Sequence, residues 1–517
     1  MKETNILWVD DEIDLLKPHI IFLETKGYTV ETANNGQDAI EIVKDKDFDL
    51  VFLDENMPGL SGLETLAKIK DIRYSIPVIM ITKSEEEYIM DEAIGSKIDD
   101  YLIKPVNPKQ ILMAIKKITD QKRLVSQKAT STYQSQFGDI GLMINDSTTA
   151  ESWLETYKKL VFWELELEKS GGEGMDQVFT MQKDDANKAF ARFIKNNYTE
   201  WFSGENSKAP VLSHNVFKNK LFPLLKNDQQ VVTFVIDNLR FDQWKTIEPL
   251  LRDYFTVANE ELFFSILPTA TQYARNAMFA GLMPAQIEKS HRELWVNEDE
   301  EGGKNRFEKE LLQKQMQRLG ISASLYYEKV QNIEKGRKIL QNLPHILNHQ
   351  LSVIVVNFVD MLSHARTEMD MIKELAADES AYRSLTHSWF EHSPFFELIK
   401  QLAAKNIKIV FTTDHGTIRV NNPLKVTGDK NISTNLRYKQ GKSLSYKSKE
   451  FFEVRDPEQI LLPRLNVSTS YIFAQNTDFI AYPNNFNHYV SYYRNTFQHG
   501  GVSLEEVLIP FVTLSPK

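Results

Sequence analysis

Leu50-Val51-Phe52-Leu53-Asp54-Glu55-Asn56-Met57-Pro58-Gly59 (LVFLDENMPG, 50–59) is an apolar run of strand length that stops on a carboxylate and then turns. Four consecutive apolar side chains leave no polar face, which suits a strand buried on both sides of a parallel sheet. Pro58 and Gly59 mark the turn. The same grammar recurs on either side. Ile6-Leu7-Trp8-Val9 runs into Asp10 and Asp11, Val78-Ile79-Met80-Ile81 into Thr82, and Tyr101-Leu102-Ile103 into Lys104-Pro105. Amphipathic segments lie between, among them 62–70 and 108–119. The second opens on Asn107-Pro108, a cap followed by proline at the first helical position. This alternation predicts a doubly wound (βα)5 domain over 1–121.

In an open parallel sheet the carboxyl ends of the strands line one crevice. Asp10, Asp11, Asp54, Thr82 and Lys104 therefore share a rim. Three carboxylates there repel one another unless a cation sits among them, and Mg²⁺ prefers such hard oxygen ligands. Lys104 and the metal would offset a phosphoryl group on Asp54, and Thr82 would hydrogen-bond one of its oxygens. The strings VDDE, LDENMPG, ITKS and YLIKP resemble the receiver domain of two-component response regulators almost end to end over 1–120. The resemblance implies Asp54 as phosphoacceptor, Asp10, Asp11 and Asp54 around Mg²⁺, and Thr82, Tyr101 and Lys104 as the switch. It also implies a cognate sensor histidine kinase. The face made by the fourth helix, fifth strand and fifth helix commonly pairs receivers, so a phosphorylation-promoted homodimer is expected.

Residues 122–206 carry no strand signal. Apolar residues recur at helical spacing in 150–168 and 186–202, and Asp146-Ser147 and Gly171-Gly172 break the pattern, so a bundle of three helices is expected. From 207 to 517 strand runs return at 231–236, 353–359 and 407–413. They predict a second, larger α/β domain.

That domain repeats the rule of the first. VVTFVID ends on Asp237, VIVVNFV is followed by Asp360 with His364 four residues on, and IKIVFTTDHG closes on Asp414-His415. Thr271 lies in the polar turn of LPTATQYARNAMFAG, and His499 in QHGG. Three Asp and three His form a ligand set for two borderline divalent ions without thiolates. The order is similar to that of the alkaline phosphatase superfamily, and of its PglZ-type branch in particular, over about 230–512. The resemblance implies two Zn²⁺, one held by Asp237, Thr271, Asp414 and His415, the other by Asp360, His364 and His499. It implies Thr271 as nucleophile. A threonine hydroxyl is a weak nucleophile near neutrality, and a divalent cation makes its alkoxide accessible. Arg275 and Asn276 are candidate contacts to a phosphoryl oxygen. Thr417 after the DHG and the glycine-free DMLSH depart from the superfamily's common forms and leave the substrate open.

Residues 417–449 carry Arg419, Lys425, Lys430, Arg437, Lys439, Lys442, Lys447 and Lys449 against Asp429, with Tyr438 and Tyr446 interleaved. Basic groups with aromatics suit phosphates and stacked bases. A loop overhanging the site, and nucleotide or oligonucleotide phosphodiesters as substrates, are expected.

The bulk numbers agree. The 517 residues are 42% hydrophobic and 26% charged, with a formal charge of −10 and no cysteine. A global polyanion-binding surface is excluded, and metals must be held by His and carboxylate oxygen. No signal peptide or span of ~18 apolar residues is visible, so a cytoplasmic protein without membrane insertion is expected. No recognition helix is evident, so direct duplex DNA recognition is not expected. Receiver, helical linker and PglZ-type domain together resemble response regulators that govern type IX secretion. That implies a sigma factor or a secretion-system component as downstream partner. The alternative is a metal-containing, non-catalytic signalling scaffold that docks such a partner.

Overall fold

The computed structural model describes residues 4–73, 76–83, 98–119, 121–170, 175–204, 209–368, 375–376, 378–428 and 433–517. The chain forms two compact units, one from Met1–Thr132 with Lys169–Glu173, the other from Tyr133–Glu168 with Gly174–Lys517.

The first unit is a five-stranded parallel sheet of β1 (Thr4–Val9), β2 (Tyr28–Ala33), β3 (Leu50–Asp54), β4 (Val78–Thr82) and β5 (Asp100–Ile103), in the order β2-β1-β3-β4-β5. Leu50, Val51, Phe52 and Leu53 are all fully buried. Val51 and Leu53 pack into one core with Leu7 and Val9, while Leu50 and Phe52 pack into the other with Ile6 and Trp8. The unbroken apolar run thus serves both faces, and each such side chain contributes about 1.5–3 kcal/mol when fully buried. Helix Gly62–Ile72 starts on a capping box between Ser61 and Glu64. A Cβ at Gly62 would lie 2.5 Å from the Asp54 carbonyl oxygen, so only glycine lets this helix begin against the end of β3. Helix Pro108–Thr119 begins as expected, the Asn107 side chain accepting from the Gln110 amide at 2.9 Å. The fourth helix expected between β4 and β5, and so part of the expected pairing face, lies outside the described residues.

Three long helices cover the linker: Gln121–Asp146, Ala150–Ser170 and Asp176–Asn197. In the second unit Trp153, Tyr157, Phe190 and Ile194 join the same hydrophobic core as the sheet, with the Phe190 ring 6.3 Å from Phe264.

That sheet has six strands: β6 (Val231–Ile236), β7 (Phe255–Phe264), β8 (Leu325–Val330), β9 (Leu351–Val356), β10 (Lys408–Thr412) and, at the end of the chain, β18 (Leu508–Pro516). Their order is β7-β18-β10-β6-β9-β8, with β18 antiparallel to both its neighbours. β10, β6 and β9 are adjacent and parallel. Their carboxyl ends therefore emerge in a row at strand spacing, about 4.8 Å apart. Between β10 and β18 the chain builds a cap of three small sheets, β11 (Ile418–Arg419) with β17 (Phe497–Gln498), β12 (Asn422–Lys425) with β16 (Asp478–Ala481), and β13 (Tyr438–Gly441), β15 (Ser470–Ala474) and β14 (Phe451–Val454).

Candidate functional site

In the first unit Asp10 follows β1 and Asp54 ends β3, both almost fully buried, while Asp11 is exposed. Carboxylate oxygens of all three lie within 4.8 Å of one another. Lys104 enters from the end of β5, its Nζ 2.8 Å from Asp10 Oδ2 and 2.9 Å from Asp54 Oδ1. The pair is lopsided. Burial pushes the Asp54 carboxyl up, and Asp10 and Asp11 add to this, so Lys104 only partly offsets the shift. Burial alone would lower Lys104, but Asp10 and Asp54 together hold it above the usual lysine range. Three carboxylates and one ammonium leave two negative charges, which suits one divalent cation. Thr82 is buried at the end of β4, and Tyr101 is 39% exposed on β5.

In the second unit Asp237 follows β6, Asp414 and His415 follow β10, and Asp360 stands in the first turn of helix Phe358–Glu368 after β9. Two donor triads result, Asp237–Asp414–His415, fully buried, and Asp360–His364–His499, more open. In each, the donor atoms lie within 4.8 Å of one another. His415 and His499 stack with ring centroids 4.3 Å apart. Thr271 opens helix Thr271–Ala280, and its N-cap is Ala270. Its Oγ1 lies 3.0 Å from His415 Nε2 and 3.5 Å from Asp237 Oδ1.

The donor set fits divalent cations on its own chemistry. His415 Nδ1 faces the Gly416 carbonyl at 3.1 Å and His499 Nδ1 faces the Thr269 carbonyl at 3.2 Å. A carbonyl only accepts, so each Nδ1 carries the hydrogen and each Nε2 turns a lone pair into the site. His499 Nε2 is 3.7 Å and His364 Nε2 3.6 Å from Asp360 Oδ1. Burial holds His499 well below the usual histidine range, with His415 and His364 adding to it, so its imidazole stays neutral. Burial and the neighbouring Asp237 raise the Asp360 carboxyl to about 6. Asp237 is also raised by burial, against the pull of Arg275. These are carboxylates short of positive charge.

The candidate phosphoryl contacts lie elsewhere than expected. Arg275 is fully buried and turned into the carboxylates. Its Nε donates to Asp414 Oδ2 at 3.1 Å, Nη1 to Glu308 Oε1 at 3.3 Å, and Nη2 pairs with Asp237. Asn276, 1% exposed, donates to the Lys304 carbonyl at 3.1 Å and accepts from Asn305 at 3.1 Å. Both positions spend their polar atoms on the protein itself. Sequence reasoning missed Glu308 and Asn305, whose Nδ2 donates to the Thr271 carbonyl at 2.8 Å. Neither has a signal in the chain. Arg275 did have one, since it lies one helical turn beyond Thr271 on the same face.

The basic stretch is also corrected. Arg437 is fully buried, with Nη2 2.6 Å from Glu506 Oε2. Tyr438 donates to Glu298, and Lys439 is 4% exposed with Nζ donating to the Ser433 carbonyl at 2.6 Å. These partners hold Arg437 and Lys439 inside the cap. Lys425, Lys442, Lys447 and Lys449 remain exposed, and Lys430 lies outside the described residues. A cleft of about 680 Å³ opens beside Gln272, bordered by Asp299, Lys304, Gln440, Lys442 and Asn466. Its wall mixes polar side chains with apolar surface, Leu465 included. His488, the late histidine nearest to His499 in sequence, is exposed on the cap helix Phe486–Tyr493 and joins neither triad.

Family models match in three successive segments: a response regulator receiver domain over 6–116, a PorX response regulator linker domain over 123–202, and a BREX system PglZ alkaline phosphatase-like domain over 216–514. The transcriptional regulatory protein ZraR of Klebsiella oxytoca is 37% identical over 140 residues, covering 27% of this chain and 32% of that protein. ResD of Bacillus subtilis (strain 168) is 34% identical over 114 residues, 22% of this chain and 47% of its own. The chain thus spans about a third to a half of the length of these curated relatives. A CheY-like receiver domain protein of known structure from Methanospirillum hungatei JF-1 is 30% identical, covering 23% of this chain and 96% of that one, with a TM-score of 0.23.

Proposed function

We propose that this chain, which belongs to the PglZ alkaline phosphatase-like family and carries a response regulator receiver and linker ahead of that domain, is a phosphorylation-regulated phosphodiesterase. One observation carries the reading: Thr271 Oγ1 stands 3.0 Å from His415 Nε2, at the mouth of two donor triads built on three adjacent strands. Two Zn²⁺ would be held by Asp237, Thr271, Asp414 and His415 and by Asp360, His364 and His499. They would supply the charge that makes the threonine alkoxide accessible and stabilises an in-line displacement. Thr271 Oγ forms a bond to phosphorus as the leaving alcohol oxygen departs, and water then breaks the phospho-threonine bond. Asn305 and the first turn of helix Thr271–Ala280 hold the hydroxyl in place, and Arg275 keeps Asp237 and Asp414 in register. The cleft beside Gln272, where Lys442 is exposed, is the place for the rest of a phosphodiester, a nucleotide or oligonucleotide.

Input comes from a cognate sensor histidine kinase through Asp54, with Mg²⁺ among Asp10, Asp11 and Asp54. Phosphorylation replaces the single charge of the Asp54 carboxylate with a phosphoryl group of roughly two and promotes a homodimer. Control of type IX secretion through a sigma factor or secretion component completes the proposal. Among the described residues, no helix is long and apolar enough to cross a membrane.

A non-catalytic scaffold is the competing reading. Arg275 favours it, because it already spends positive charge on two of the metal-facing carboxylates. Wild type and Thr271→Val, each with measured zinc content, decide between the two on bis-p-nitrophenyl phosphate and a short oligonucleotide. Loss of a nucleophile costs on the order of a thousandfold or more in kcat. Equal rates at equal zinc would leave only the scaffold.

A further inference from the structure

The linker bundle reaches into the output unit with two polar side chains on one helix face. Lys183 and Asn187 stand four residues apart on helix Asp176–Asn197. Lys183 Nζ lies 2.9 Å from Glu164 Oε2 and 3.0 Å from Glu505 Oε1. Asn187 accepts from the Leu504 amide at 2.8 Å and donates to Glu505 Oε2 at 3.2 Å. Asn187 and Glu505 are 2% and 3% exposed. The turn they grip, Ser503–Glu506, sits between two ligand-bearing loops. The Glu506 carbonyl accepts from the Gly416 amide at 3.1 Å, and Glu506 Oε1 accepts from the Gly501 amide at 2.9 Å. A Cβ at Gly416 would lie 2.0 Å from the Glu505 carbonyl oxygen, so the two backbones touch. Gly416 is the neighbour of His415, and Gly501 is two residues from His499.

Buried ion pairs are poor stabilisers. Removing both charges from water costs several kcal/mol per ion, and well-packed apolar residues usually do as well or better. A lysine clamped between two glutamates is therefore an expensive way to glue a bundle to a sheet. What it does provide is register: hydrogen-bond geometry tolerates far less sliding than apolar contact.

We propose that Lys183 and Asn187 are positioning residues for the phosphodiesterase site, holding the Ser503–Glu506 turn so that His415 and His499 stay stacked and aimed. Their contacts give the linker a direct grip on the geometry of the rim. The proposal rests on the rim being catalytic, and its test keeps the two apart.

The full-length protein is studied as Asn187→Leu, Lys183→Met and Lys183→Arg, with Lys188→Met, whose partner is the exposed Asp185, as control. Asn187→Leu leaves no buried charge unpaired, so it serves if Lys183→Met fails to fold. Misplacement of about 1 Å costs up to ~10²-fold, so kcat on bis-p-nitrophenyl phosphate falls roughly ten- to a hundredfold. KM stays near the wild-type value, and Lys183→Arg recovers most of the loss. Amide hydrogen exchange quickens in 413–418 and 499–508 and not across the rest of the unit. A folded Asn187→Leu with wild-type kcat and wild-type exchange in those segments overturns the proposal. So does a loss of kcat that only tracks the unfolded fraction. If wild type hydrolyses no phosphodiester, the catalytic reading fails by itself, and exchange at 413–418 and 499–508 still decides whether the clamp exists.

Discussion

In the receiver, Lys104 reaches Asp10 and Asp54 from the edge of the sheet with 15% of its side chain exposed; in the output unit, Arg275 reaches Asp237, Asp414 and Glu308 with none exposed. Both sites follow one topological rule, that acids at the carboxyl ends of neighbouring parallel strands meet at a rim. Both hold a cation against two strand-end aspartates. The cations differ in kind. An ammonium on a flexible four-carbon stem is a point charge with three donors that can turn to a new partner, whereas a guanidinium is a planar fork. Lys104 suits a site whose charge changes when Asp54 is phosphorylated. Arg275, fixed on three carboxylates, suits a site whose geometry must not change.

The sharpest way to break this comparison is Arg275→Met. It takes the fork from Asp237 and Asp414 in a fully buried place, while Glu308 keeps Lys329, and the loss of one partner from a buried ionic network costs about 3–5 kcal/mol. In urea the output unit's transition should shift to lower concentration while the receiver's stays in place. A shift no larger than that of the receiver cation's removal would end the distinction.

The cap holds a further cation, Lys439, which is buried and sharpens the comparison because, among the described residues, no carboxylate forms an ion pair with it. Lys439 donates to the Ser433 carbonyl and lies over the Tyr482 ring. Burial lowers it to about 8, with Glu298 only partly opposing. Its folded pKa is below its unfolded one, so the unfolded chain binds more protons between about pH 8 and the ordinary lysine value of 10.5. Stability should rise across that window, and the full cost is present below it. The shift corresponds to ~3 kcal/mol, and the lost hydrogen bond offsets about 1 kcal/mol. Lys439→Met should therefore raise the output unit's stability by about 2 kcal/mol at pH 7. Thermal unfolding at pH 7 and pH 10.5 checks it: the advantage should vanish at the higher pH.

These three cations also mark how far the chain could be read in advance. Strand-end acids are local features: an apolar run and the residue that stops it are adjacent, so Asp10, Asp54, Asp237 and Asp414 were all visible, and the two donor triads bring together the residues grouped from sequence. Polar strands were not visible. β7, FTVANEELFF, and β8, LYYEKV, alternate weakly and sit on the sheet's edges, where one side need not be apolar. From sequence, 417–449 reads as a basic loop over the site because residues such as Arg437 and Lys439 carry charge. Their burial depends on Glu506 and Ser433, partners that no spacing reveals. Arg275 reads in the sequence as a phosphoryl contact for the same reason, and its fork is taken by Asp237 and Asp414. A charge in sequence has no direction until its partners are fixed.

The smallest effect belongs to Lys104→Met. Asp10 and Asp54 are buried, but Asp11 beside them is exposed, so water and cations reach the site. Asp54 already sits above the ordinary carboxylate range, so it gives up its charge readily when its partner is gone. The cost should be near that of one charged hydrogen bond, about 1.5 kcal/mol, and millimolar Mg²⁺ should recover part of it. Arg275→Met should cost more, because one fork pairs with both Asp237 and Asp414 and neither of them is exposed. Receiver unfolding with and without Mg²⁺ measures the difference. A loss as large as the arginine's, unmoved by Mg²⁺, would mean that Lys104 is a structural fixture like Arg275, and a switch built on its release would have to be sought elsewhere.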